Sequence, residues 1–335
     1  MTTIIETPTP VSPARPGTVQ GGRPSSTSSP ARRRIGLSDL RVFPLAMSGN
    51  VFGWTAGPDE TTDILNSYAE HGGNFVDTAD SYAGGRSEIM IGNWMRDRRN
   101  RDEMVVATKI GKSADNPGLS GRAVARAVDA SLERLRTTHI DLLYLHMDDP
   151  EVPFDETLLA VDELIRAGKV RYFGCSDHTG NRLIEARIAS GQLGVAPLIA
   201  LQNHYNLVDR AAFEGPLANV ADRQGLGVMP RFALASGFLT GKYRTRADLG
   251  RNSRGGEAAK YLNRRGLRVL AALDQVAARH EASVATVALA WLLTKPNVVA
   301  PVASASGPEQ VAALTASAGI QLSRSQVSDL DRASA

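Results

Sequence analysis

The sequence predicts an α/β protein, a (β/α)8 TIM barrel. Three observations carry this: eight short apolar or β-branched runs, helical periodicity between them, and polar residues closing nearly every run. The runs are FPLAMSG (43–49), NFVDT (74–78), MVVATK (104–109), IDLLYLH (140–146), VRYFGCSD (170–177), PLIALQN (197–203), LGVMPR (226–231) and VVAPVAS (298–304). Nearly continuous apolar strands imply a parallel sheet covered on both faces, and eight of them with intervening helices suit a closed barrel better than an open sheet. Among the helical stretches, GRAVARAVDASLERLR (121–136) places Val124, Val128, Leu132 and Leu135 at three- and four-residue steps, an apolar stripe that can cover a strand pair. IGLSDLRV (35–42) reads as a small hairpin closing the base of the barrel.

Residues 1–34 are rich in Pro, Ser, Thr and Gly and have little to bury, so they read as a disordered tail ahead of one barrel domain at 35–335. The tail is Arg-rich and acid-poor like an organellar transit peptide, but its prolines oppose the amphipathic helix such a peptide needs. A length of 335 residues is compatible with a single barrel, since barrels of about 250 residues or more fold as one unit.

Bulk composition excludes several classes. A net charge of +3 is concentrated in Arg15, Arg23, Arg32, Arg33 and Arg34, leaving a near-neutral body with no electrostatic footprint for nucleic acid. No run approaches the roughly 18 apolar residues of a membrane span, and no apolar secretory stretch opens the chain. Cys175 is the one cysteine, which rules out an internal disulfide and fits the reducing cytoplasm; as a buried thiol beside Ser176 it reads as packing. His71, His139, His178, His204 and His280 show no metal-ligand spacing, so no metal is expected.

A barrel of parallel strands carries its chemistry at the C-terminal strand ends. The runs place Asp77, Lys109, His146, Ser176, Asp177, Gln202 and Asn203 there. Neighbouring strands lie about 4.8 Å apart, so Asp77, Lys109 and His146 converge on one side of the mouth, with Tyr82 on the loop above. Singly, each residue has a plain structural reading: an Asp–Lys pair as an ion pair, a tyrosine as packing, a histidine as a satisfied core group. Their concurrence on three consecutive strands points to a site.

The phrases FVDTADSYAGGRSE, ATKIG, IDLLYLH, FGCSDH, ALQNHYNLVDR, LASGFLTGKY and PVASASGPEQV, in this order from residue 35 to about 320, resemble the signature segments of the aldo-keto reductase superfamily. The resemblance implies a catalytic tetrad of Asp77, Tyr82, Lys109 and His146. It also implies a nicotinamide cofactor, with NADPH preferred over NADH, and a small-molecule carbonyl substrate reduced to the alcohol. A phenol with a pKa of about 10 is a weak acid, and the Lys109 ammonium is expected to lower it. Asp77 would keep Lys109 charged, while His146 would hold the carbonyl.

By the same resemblance Ser176, Asp177 and Gln202 bond the nicotinamide carboxamide, and Arg231 takes the place of a stacking aromatic. Leu234, Gly237, Leu239 and Lys242 wrap the pyrophosphate, and Ser304, Ser306 and Gln310 face the adenosine end. Two departures stand out: Asp177 replaces the usual Asn, and no Lys or Arg stands among Ser304, Ser306 and Gln310 to meet a 2′-phosphate.

The dinucleotide site is not of the Rossmann type, since no G-x-G-x-x-G follows a strand. SGFLTGKY is not a nucleotide-triphosphate loop either: three residues rather than four separate Gly237 and Gly241, and Tyr243 replaces the Ser or Thr that would hold magnesium. Phe52, Trp54, Met147, Asp148 and the loop at 232–261 are the expected substrate wall, with barrel packing the equal alternative for Phe52 and Trp54; the site is expected to be open enough for polar aldehydes, ketones or sugar-like carbonyls. Two other functions remain: a nicotinamide-binding regulatory subunit with little turnover, and an aldolase using Lys109 as a Schiff-base amine.

Overall fold

A computed structural model describes residues 30–250 and 254–335. All eight expected runs contain a barrel strand. They are β3 (Ala46–Ser48), β4 (Phe75–Asp77), β5 (Val105–Ile110), β6 (Ile140–Leu145), β7 (Val170–Ser176), β8 (Ala200–Gln202), β9 (Gly227–Val228) and β10 (Val302–Ala303). They pair in parallel in the order β10-β3-β4-β5-β6-β7-β8-β9. Backbone hydrogen bonds bring the ends of this sheet together: Val228 N–H donates to Asn297 O at 2.8 Å, and Val299 N–H donates to Val228 O at 2.8 Å. Val302 N–H donates to Pro230 O, also at 2.8 Å. The ring is thereby closed.

Apart from β5, which is as long as its run and overruns it at Ile110, the strands are shorter than their apolar runs because residues such as Val298–Pro301 and Leu226 extend beyond the regular ladder yet remain buried. Helices cover the outside, among them Pro58–Glu70, Arg86–Arg98, Gly121–Leu135, Phe154–Arg166 and Gly180–Leu193. In the helix Gly121–Leu135, Val124, Val128 and Leu135 are buried, Leu132 packs against the same core, and Ser120 caps the N-terminus by accepting from Ala123 N–H. Helices Arg86–Arg98 and Gly121–Leu135 meet at Gly92, where a Cβ would lie 2.6 Å from Arg134 O.

Two-residue alternation along the strands splits the core in two. Met47, Val76, Val106, Leu143, Leu145, Phe173, Cys175 and Leu201 face the helices. Ala46, Phe75, Ala107, Leu142, Tyr144, Ala200 and Met229 fill the barrel interior together with Ile35, Leu40 and Val42 of the N-terminal hairpin.

That hairpin pairs β1 (Arg33–Arg34) with β2 (Arg41–Val42) in antiparallel fashion. It begins two residues before the expected boundary at 35, because Arg33 is tied to the barrel: its guanidinium donates to Leu293 O and Val298 O at 3.1 and 2.9 Å. Residues 1–29, on which most of the expected tail falls, lie outside the described residues. Among the described residues no helix is long and apolar enough to cross a membrane.

Candidate active site at the C-terminal mouth of the barrel

The alternation that sends Phe75, Ala107, Leu142, Gly174 and Ala200 inward sends Asp77, Lys109, His146, Ser176 and Gln202 inward as well, two or four residues further along. Small and apolar side chains fill the lower layers, and polar ones form the layer at the mouth.

Asp77 and Lys109 are fully buried and form the centre of this layer. Lys109 Nζ donates to Asp77 Oδ2 at 2.6 Å and to the Thr78 carbonyl at 2.8 Å. The amide of Gln202 donates to Asp77 Oδ1 at 2.8 Å, so both carboxylate oxygens are engaged. The ammonium lies 5.1 Å from the centroid of the Tyr82 ring and 6.0 Å from that of Tyr144. The Tyr82 and His146 rings stand edge to face with centroids 6.0 Å apart.

Tyr82 owes its place to a strained turn rather than to a strand. Ala83, Gly84 and Gly85 follow it with φ of 52°, 64° and 82°, three left-handed residues in succession, which glycine adopts without a steric cost. The turn is pinned from behind. Glu88, fully buried, accepts from Thr108 Oγ1 at 2.6 Å and from Arg134 Nε at 2.7 Å, and Ser87 Oγ donates to Gly49 O at 2.8 Å.

Burial and charge set the protonation states. Burial, the largest effect on Lys109, pushes its pKa down, but Asp77 and Tyr82 outweigh it and the pKa rises, so the side chain is held as an ammonium. Tyr82 departs from the expectation of a lowered pKa. Burial raises it, and the opposing influence of Lys109 only partly offsets that shift. The phenol therefore keeps its proton. His146 is pushed down to about 2, by burial first and then by Lys109, Lys112 and Arg231, and is a neutral imidazole.

The expected cofactor residues divide into two groups. Ser176 Oγ, at the end of β7, is buried with no hydrogen-bond partner, as are His146 Nδ1 and the Oδ1 of Asn203, a residue just past β8 that stands outside the expected cofactor set. A buried hydroxyl left without a partner at the mouth can bond a carboxamide, and this fits a nicotinamide. Lys242 Nζ lies 5.2 Å from the Tyr243 ring centroid and near Gly237, whose φ is 88°; burial and Arg254 lower its pKa. Two adjacent cations beside a left-handed glycine suit a pyrophosphate. Leu239 is fully buried and Leu234 packs on the core, so they shape this loop through packing.

Asp177 and Gln202 are engaged with protein groups. Gln202 serves Asp77, and Asp177 forms a two-pronged ion pair with Arg231. The Gln310 side chain accepts from Ser306 N–H at 3.1 Å, while Ser304 is partly exposed and Ser306 exposed nearby.

Of the expected substrate wall, Phe52 is fully buried and packs in the hydrophobic core. Trp54 is 57% exposed, with the Arg254 guanidinium 5.6 Å from its ring centroid, and Met147 is partly exposed. Sequence reading passed over three groups. Tyr144 pairs in register with Lys109, and its buried hydroxyl has no partner. Asp80, 2% exposed, has both oxygens unpartnered. Arg254 places its guanidinium 5.6 Å from the Trp54 ring centroid. Alternation alone would have found Tyr144, two residues before His146 and inward-facing. Among the described residues no group of three or more His, Cys, Asp or Glu is arranged to hold a metal ion.

A ring of eight parallel strands with this polar layer at its C-terminal mouth defines a barrel enzyme. The model of the aldo/keto reductase family matches residues 47–335, and the chain belongs to that family. Its relatives include an aryl-alcohol dehydrogenase from Pestalotiopsis microspora, 30% identical over 88% of this chain and 79% of the relative. A probable voltage-gated potassium channel subunit beta from Arabidopsis thaliana is 32% identical over 83% of this chain and 88% of its own length. Norsolorinic acid reductase B from Aspergillus parasiticus is 29% identical over 92% and 86%. The protein is an aldo-keto reductase enzyme, of a family that carries out carbonyl–alcohol redox chemistry with nicotinamide cofactors.

Proposed function

We propose that this enzyme reduces an aldehyde or ketone to the alcohol with NAD(P)H, and that Tyr82 delivers the proton. The observation that supports this best is the placement of the Lys109 ammonium between Asp77, at 2.6 Å, and the Tyr82 ring, at 5.1 Å. When bound, the reduced nicotinamide supplies the hydride that the carbonyl carbon accepts.

Tyr82 holds its proton until the carbonyl oxygen gains negative charge, and Lys109 stabilises the tyrosinate left behind. Asp77 and the Thr78 carbonyl keep Lys109 aimed and charged. His146, neutral, donates one hydrogen bond to the carbonyl oxygen and orients it. Ser176 stands at the carboxamide, next to Gln202, whose amide nitrogen is held by Asp77, and Arg231 lies beside the ring. Gly237 and Lys242 hold the pyrophosphate, and Ser304, Ser306 and Gln310 face the adenosine end through neutral polar groups. NADPH is the preferred form and NADH the alternative. Trp54 and Met147 flank an open mouth suited to a polar, sugar-like carbonyl, and the cytoplasm, where Cys175 stays reduced, is the place of action.

Tyr82→Phe tests the assignment. Turnover of a model aldehyde is expected to be abolished while NADPH binding, followed by fluorescence, persists; unimpaired turnover overturns it. The similarity to the channel beta subunit supports a second reading, a nicotinamide-binding regulatory subunit. Tight NADPH binding with no turnover across a broad carbonyl panel would select it. A Schiff-base role for Lys109 is disfavoured because Asp77 holds its amine protonated.

A further inference from the structure

Asp177 and Arg231 form a two-pronged ion pair at the mouth. Arg231 Nε and one terminal nitrogen donate to Asp177 Oδ1 at 3.0 and 2.9 Å, and that terminal nitrogen also donates to Oδ2 at 2.7 Å. The pair spans the end of β8, because Asp177 N–H donates to Gln202 O and Arg231 N–H to Asn203 O. Asp177 leaves the strand alternation through a left-handed backbone, φ 57°, which Asp and Asn tolerate better than most residues. The guanidinium also lies 4.8 Å from the Phe232 ring centroid, so its plane is fixed by a carboxylate and an aromatic ring together. Ser176 Oγ, one residue before Asp177, is buried and unpartnered, so a carboxamide can bond it while Asp177 stays on Arg231.

We propose that Asp177 is a positioning residue: it holds Arg231 as a flat, charge-compensated platform at the nicotinamide ring and thereby balances the binding of oxidised against reduced dinucleotide. The inference rests on the reading that the nicotinamide lies among Ser176, Gln202 and Arg231. The oxidised ring carries a positive charge and the reduced ring carries none. A lone guanidinium against the ring opposes the oxidised form, and a carboxylate within 3.0 Å cancels that opposition. Both side chains are about one-third exposed, so solvent screens the effect to about tenfold in relative affinity.

The test measures dissociation constants of NADP+ and NADPH, by tryptophan fluorescence and calorimetry, for the wild-type chain, Asp177→Asn, Arg231→Met and the double variant. Asn keeps the side-chain shape and the left-handed backbone. The expected result is that Asp177→Asn weakens NADP+ about tenfold more than NADPH, and that this difference vanishes when Arg231 is also replaced. Equal weakening of both forms by Asp177→Asn, or the same NADP+ penalty with and without Arg231, overturns the proposal and returns Asp177 to a direct carboxamide contact. A wild-type chain that binds neither dinucleotide overturns the underlying cofactor reading itself, a result distinct from an altered ratio.

Discussion

Replacing Lys109 by Met removes a charge from a place where neither partner touches water. The side chains of Lys109 and Asp77 are both 0% exposed and their charged atoms are 2.6 Å apart. Taking away one member of such a pair strands the other and costs roughly 3–5 kcal/mol, whereas replacing both is often near neutral. Asp77→Asn is well suited as the second change, because its oxygen can still accept the 2.8 Å bond from Gln202. Chemical denaturation is therefore expected to show a loss of about 3–5 kcal/mol for Lys109→Met and recovery of most of it in the double variant. Turnover behaves differently. With no ammonium to stabilise the tyrosinate, both the single and the double variant are expected to lose at least a hundredfold, the order contributed by positioned proton transfer. A Lys109→Met variant within about 1 kcal/mol of wild type would refute the buried-pair reasoning. A double variant that regained turnover with stability would refute the role given to Lys109 in activating Tyr82.

Two pH effects follow from the site. His146 has a folded pKa of about 2 against an ordinary 6.5, so below pH 6.5 the unfolded chain takes up a proton that the folded one refuses. Its contribution to stability is fully present above pH 6.5 and is lost as pH falls, by about 1.4 kcal/mol per pH unit. Denaturation curves of wild type and His146→Asn are expected to converge accordingly between pH 6.5 and 4.5, and parallel curves would contradict this. Asp80 behaves oppositely: burial, then the nearby Glu88, raises its carboxyl from 3.8 to about 7, against the weaker pull of Arg134. Between those values the unfolded chain releases a proton that the folded chain keeps, so stability falls as pH rises, by up to roughly 4 kcal/mol. Asp80→Asn is expected to remove that slope and to be the more stable protein at pH 8, as thermal melts at pH 4 and pH 8 would reveal.

The barrel and the makeup of its polar layer are legible in the residue pattern alone. Eight apolar runs, each needing cover on both faces, admit few arrangements, and period-two alternation then dictates which side chains share the interior. Asp77, Lys109, His146, Ser176 and Gln202 are legible for that reason, since each continues an inward-facing series whose lower members are apolar.

Tertiary structure decided whatever depends on which neighbour arrives. Tyr82 stands on a turn whose left-handed residues take their orientation from Glu88, Thr108 and Arg134, contributed by three separate elements. Its pKa rises rather than falls because burial, a property of the assembled mouth, outweighs the one charged neighbour a sequence can pair with it. Between the two readings open for Phe52, substrate wall or packing, no local pattern could choose; in the fold it is fully buried in the core. Arg33 joins the barrel through carbonyls some 260 residues away. Asp177 looked like an imperfect carboxamide ligand while only its own strand was in view; its partner is Arg231, 54 residues later, and only the side-by-side pairing of β7, β8 and β9 brings carboxylate and guanidinium together.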